Sequence, residues 1–154
     1  MKKLLRTMIV MAVGSILILA ISAVPVRAQT FIALLNSGQE VPPTPSNSLG
    51  VAFMTFDGVL LCYSITYTDN LLAPETAAHF HMPGGPGVNA PVRFPISPDP
   101  SPLGTPKTGC VPAEGDAFTE EDVANLFSGL TYINVHTTAH PGGEIRGQVQ
   151  QVLP

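Results

Sequence analysis

Four histidines are the residues of this chain whose type and spacing could do chemistry, and they fall in two places: His79 and His81, then His136 and His140. Neutral imidazole is a ligand for copper, zinc, nickel or iron, and three such ligands leaving one position open make a reactive site. In a strand, residues two apart point to one side, so His79 and His81 present two rings together while Ala78, Phe80 and Met82 face the core. Met82 is thereby sent away from His81 and is a poor ligand candidate. Should the strands carrying His81 and His136 be neighbours, three imidazoles converge with His140 nearby. The same pattern also fits a polar strand face, with His136 bonded across a hairpin to Arg146 or Glu144. Structural or pH-responsive histidines therefore stand beside the metal reading.

The elements that must position these rings are strands. Tyr132 to Thr137 alternates Ile133 and Val135 with Tyr132, Asn134 and His136, the period of a strand with one buried face. Pro141-Gly142-Gly143 then turns the chain, and Ile145, Gly147 and Val149 alternate with Glu144, Arg146 and Gln148 in a second strand. Glu144 and Arg146 share the polar face, where they read as a weak surface ion pair, or with Arg146 orienting His136 or capturing an anion.

The run Asn134-Val135-His136-Thr137, followed by Gly142-Gly143-Glu144-Ile145-Arg146-Gly147-Gln148, resembles the terminal signature of the CHRD domain family. That module is named for chordin and occurs singly in microbial secreted proteins. Phe31 to Pro43 with Gln39-Glu40-Val41-Pro42-Pro43, Ala78-His79-Phe80-His81, and Leu126-Phe127-Ser128-Gly129 match the pattern in order, so the likeness covers about residues 30 to 150. It implies a binding module and is silent on activity. The layout is also similar, more weakly, to copper/zinc superoxide dismutases, which are Greek-key sandwiches. That likeness would place His79, His81 and His136 at three copper ligands. It lacks the bridging histidine and the zinc cluster, and Glu144 stands where that family has a substrate-guiding arginine, a charge that would repel superoxide.

Earlier in the chain, Lys2, Lys3 and Arg6 precede an apolar run from Met8 to Val24 that ends in Val26-Arg27-Ala28. Residues 1–28 read as a cleaved secretory signal, leaving residues 29–154 as the CHRD domain and placing it in the periplasm or outside the cell. A retained anchor is the alternative, although the run is short of about 20 residues. Four of the seven basic residues lie in that segment and all eleven acidic ones outside it, so the remainder is strongly acidic. Such a domain repels nucleic acid and anionic membranes; extracytoplasmic proteins or metal ions are the fitting partners. Cys62 and Cys110 are the only cysteines, and export would favour their pairing in a disulfide.

Thr30 to Leu35 reads as a first strand, and the prolines of Gln39 to Ser48 as a crossing loop. Val51–Phe56 and Val59–Tyr67 flank Asp57-Gly58, a preferred pair for a two-residue hairpin turn, with Leu61, Tyr63, Ile65 and Tyr67 on one face. Thr76–Met82 is a strand, Val88–Ile96 at most an edge strand, and Pro95–Pro112 a long surface loop tethered by Cys110. Thr119 to Gly129 forms one short helix with acids in its first turn, which explains Asp116, Glu120, Glu121 and Asp122 without calcium. The sum is an all-β Greek-key β-sandwich, immunoglobulin-like or superoxide-dismutase-like, with one short helix. No hydrolase triad, phosphate loop or paired catalytic carboxylates stand out. Three functions remain open: an exported binding or stress-related module, with copper or zinc as its conceivable cofactor; a redox metalloenzyme; and a structural surface protein.

Overall fold

The computed structural model describes residues 28–99 and 101–153; the segment 1–28, read from the sequence as a secretory signal, lies outside the described residues apart from Ala28. The fold is all-β. Nine strands form one antiparallel sheet: β1 (Gln29–Asn36), β2 (Leu49–Phe56), β3 (Leu61–Tyr67), β4 (Glu75–His81), β5 (Val92–Ser97), β6 (Lys107–Val111), β7 (Tyr132–Thr137), β8 (Ile145–Gln148) and β9 (Gln150–Gln151). Among the described residues the single α-helix, α1 (Glu120–Phe127), lies between β6 and β7. Strand order is β5-β4-β7-β8-β1-β2-β3-β6, with β9 also on β1. The sheet curls until its two edges nearly meet, so the layers of a sandwich are here the two halves of one sheet.

The core follows from period-two burial. Phe31, Ala33 and Leu35 of β1, Ala52, Met54 and Phe56 of β2, and Leu61, Tyr63, Ile65 and Tyr67 of β3 all point inward. Ala78, Phe80 and Met82 join them from the other half, as do Ile133, Val135, Ile145 and Val149. Helix α1 starts at Thr119, whose side chain accepts from the Asp122 amide while the Asp122 carboxylate accepts from the Thr119 amide. Asp122 and Asp116 also bind Arg93, which packs over Phe94. The acidic run is thus a cap and an ion pair.

Three sequence expectations change. Residues 95–112 are not one surface loop: they complete β5 and contain β6, whose polar residues hid a strand that pairs with β3. The β2–β3 turn is centred on Gly58 and Val59, one residue later than expected. Asp57 spends its carboxylate on the Val59 and Leu60 amides and keeps an ordinary backbone, while Gly58 takes φ +101°. Glu144 and Arg146 are fully buried and bind different partners, because two loops cover the face they share. They make no surface ion pair.

Cys62 and Cys110 are bonded to each other, directly opposite across β3 and β6. Their separation of 48 residues gives the cross-link about 4 kcal/mol on the chain-entropy account. The remaining gap between β5 and β6 is closed by side chains. Glu75 accepts from Lys107 of β6, Ser97 of β5, Tyr67 of β3 and the Gly104 amide.

Candidate metal centre

The β4–β7 pairing sets Asn134 opposite His79, Tyr132 opposite His81 and Ala77 opposite His136. His79, His81, Tyr132, Asn134 and His136 therefore share the face turned away from the apolar core, with His136 diagonal to His79. One ligand atom from each of His79, His81 and His136 lies within 4.8 Å of the others. His140 stays outside the group: its amide and carbonyl bond Thr137 in the turn after β7. Glu144 is tied to Ser46, Thr137 and the Leu72 amide. Arg146 reaches the site by lying over Tyr132 and by its charge, which disfavours protonation of His81.

Hydrogen bonds fix how the rings are turned. His81 Nδ1 donates to the Ala90 carbonyl at 2.8 Å and His136 Nδ1 to the Pro141 carbonyl at 2.9 Å, leaving each Nε2 with a lone pair. The Nε2 of His136 meets His79 Nδ1 at 2.9 Å. Nitrogens in adjacent positions on a zinc or copper ion, each about 2 Å from it, are about 3 Å apart. In the metal-free protein a proton joins these two atoms where an ion would join them. The Nε2 of His81 is buried and makes no well-formed hydrogen bond, a state that costs about 1–3 kcal/mol unless something satisfies it. Carbonyl-held outer nitrogens on His81 and His136 and a converging set of inner ones fit a metal ion.

All three rings are held neutral. Burial pushes His79 down to about 4, aided by His136 and His81. Burial also lowers His81 and His136, outweighing the opposing pull of the Ala90 and Pro141 carbonyls. Neutral imidazole is the form a metal needs.

The linkage has a definite sign. Imidazoles lowered in the fold contribute stability above their unfolded value near 6.5, and it is lost as pH falls through the folded value, about 4 for His79. Glu40 acts oppositely: burial raises it to about 7, against the pull of Arg146, so its contribution is lost as pH rises from 4.5 through 7. Three groups outnumber one. The melting temperature of the metal-free protein should therefore fall between pH 7 and pH 5, and fall less in His79→Gln; a melting temperature that rises on acidification would contradict this.

The polar face is roofed by residues 84–90 and 37–48. Gln148 donates to the Gly84 carbonyl and Arg146 to the Gly85 carbonyl, and Tyr132 Oη accepts from the Ala90 amide. His81 stacks on Tyr132 at 4.6 Å between centroids and 3° between planes, and the Arg146 guanidinium lies 3.4 Å from the same ring. Sequence reasoning missed Tyr132, Asn134 and Glu40. The first two sit at the same period as His136, which was a usable signal.

The fold and the site define an all-β domain with a three-histidine cluster on its buried polar face. The sequence model of the CHRD domain matches residues 31–149, and the chain belongs to that family. No curated protein and no solved structure matches it.

Proposed function

We propose that this chain is an extracytoplasmic CHRD module that binds one copper or zinc ion through His79, His81 and His136. The observation that carries the metal reading is the buried Nε2 of His81, without a well-formed hydrogen bond and aimed into a cluster whose other two ligand atoms already sit at ligand spacing. Export is supported by the basic-apolar-small pattern of residues 1–28 and by two cysteines joined in a disulfide. Binding is preferred to catalysis because the site residues are all accounted for as ligands and as groups that orient them.

Titration of the tag-free, metal-free protein with zinc or copper(II) tests this. One equivalent should bind, with affinity at least about 100-fold weaker in His81→Ala and His136→Ala, whose folds circular dichroism verifies. His140→Ala should bind as the parent does. A silent titration of the parent, or equal binding in all three variants, would overturn the assignment.

A further inference from the structure

The two halves of the curled sheet differ on their outer faces. Residues 84–90 and 37–48 roof the half that carries the histidines, while the half made of β1, β2, β3 and β6 stays bare. Period two turns Leu34, Leu49 and Phe53 outward, and they are 62 %, 59 % and 56 % exposed. Pairing sets Leu34 beside Val51 and Ile32 beside Phe53, so these side chains form one apolar ridge across β1 and β2. Toward β6 the outward positions are threonine, serine and the disulfide. Among the described residues, none that points outward from these four strands carries a charge.

The rest of the surface is the opposite. Residues 29–154 hold eleven acidic and three basic residues. Lys107 and Arg146 are buried and Arg93 is held by Asp116 and Asp122, so every exposed charged side chain among the described residues is a carboxylate. A basic partner would be drawn to those carboxylates and away from the bare face. Two copies of so acidic a chain repel in most orientations. The exception is this face against itself, where each ridge covers apolar surface of the other and no carboxylate loses its water.

The face also fits itself in shape. Beside the ridge, Leu49, Val51, Thr66 and Thr68 surround a shallow hollow between β2 and β3. Phe53 stands one pleat beyond Val51. A two-fold axis in the plane of the sheet, crossing β2 between Val51 and Ala52, turns one face onto another and sets each Phe53 over the other copy's hollow. Sheets packed about 10 Å apart interdigitate in this way. Four strands about 4.8 Å apart and about 25 Å long present about 500 Å², so two faces bury about 1,000 Å², the lower limit for a specific interface.

We infer that this chain forms a weak homodimer through the outer face of β1, β2, β3 and β6, with Phe53 of each copy seated among Leu49, Val51 and Thr66 of the other. The histidine cluster lies on the other half of the sheet, so the dimer neither needs a metal nor covers its site.

Sedimentation equilibrium of the purified, metal-free chain tests this. The parent should dimerise with a dissociation constant on the order of 10 μM. Phe53→Glu should weaken association at least about 30-fold, because a carboxylate at the centre of the contact would lose its water without gaining a partner. Val92→Glu, at an exposed position on β5, should associate as the parent does. Asp57 and Asp69 stand at the two ends of the face, and the two-fold axis brings Asp57 of one copy toward Asp69 of the other. Raising salt from about 0.05 M to about 0.5 M should therefore tighten the dimer. Should Phe53→Glu not fold, isotope-filtered nuclear Overhauser contacts in a mixture of labelled and unlabelled parent decide: the Phe53 ring should lie near the Thr66 methyl of the other copy. A parent still monomeric at about 50 times the expected dissociation constant overturns the inference. So does a dimer that Phe53→Glu leaves intact, that salt dissociates, or that lacks those contacts. A monomeric parent retained instead by a neutral glycan, or by vesicles of a neutral phospholipid, would give the face that occupant and overturn the dimer as well.

Discussion

Replacing Lys107 by methionine is expected to cost the fold about 3 kcal/mol at pH 7, in the range for removing one partner of a buried ion pair. Lys107 is fully buried and its ammonium lies 2.7 Å from Glu75. Burial alone would raise the Glu75 carboxyl, yet donation from Lys107, Ser97, Tyr67 and Gly104 holds it below the ordinary carboxylate range. Methionine matches the length of the stem and removes the strongest of the four donors that together outweigh burial. The three neutral donors remain. In the variant burial lifts Glu75, so the cost is full while the group stays ionised and shrinks once it can protonate. The parent keeps Glu75 charged down to pH 5. Urea unfolding at pH 7 and pH 5 should therefore show a deficit at pH 5 well below that at pH 7. Equal deficits would mean that Lys107 contributes by packing alone, and the sheet edges would need another explanation for their closure.

That seam also shows what a sequence hides. Strand β3 was legible because Leu61, Tyr63, Ile65 and Tyr67 repeat every second residue against an apolar core. His79 and His81 were legible for the same reason: period two sets two rings on one side whatever the tertiary fold. Strand β6 was not, since Lys107, Thr108 and Gly109, which pair with β3, carry no apolar alternation. The inward-turned Lys107 reads as solvent-facing until Glu75, 32 positions earlier, is known to lie beside it. Glu144 and Arg146 were misplaced by the same logic. Charge on a strand's outer face predicts solvent, and only the roof formed by residues 84–90 and 37–48 reverses that. Convergence of His136 on His79 depended on β4 pairing with β7, a neighbour relation between strands that local pattern does not encode.

Arg146→Met should cost about 3 kcal/mol and also weaken metal binding, because the guanidinium holds both the roof and the ring beneath it. Its Nη2 donates to the Gly85 carbonyl at 2.9 Å and to Gln148, and its Cζ lies 3.4 Å from the centroid of the Tyr132 ring. Burial pulls Arg146 below its ordinary value, offset in part by Tyr132 and Glu40; an ion at that depth is tolerated because planar stacking and directed donors satisfy it. Methionine restores some packing but leaves Gly85 without a donor and Glu40 without a counter-charge. The consequence travels one step further. Ala90, whose carbonyl fixes the His81 tautomer, belongs to the same roof and is held by Tyr132. A loosened roof lets His81 place its proton on either nitrogen, and only one tautomer offers Nε2 to an ion. Arg146→Lys separates the two contributions: it keeps the charge beside Glu40 and loses the planar fork. Lysine should recover less than half of the lost stability, and zinc affinity should follow the roof rather than the charge. If lysine restores both in full, the charge alone suffices and the Tyr132 stack does not position the site.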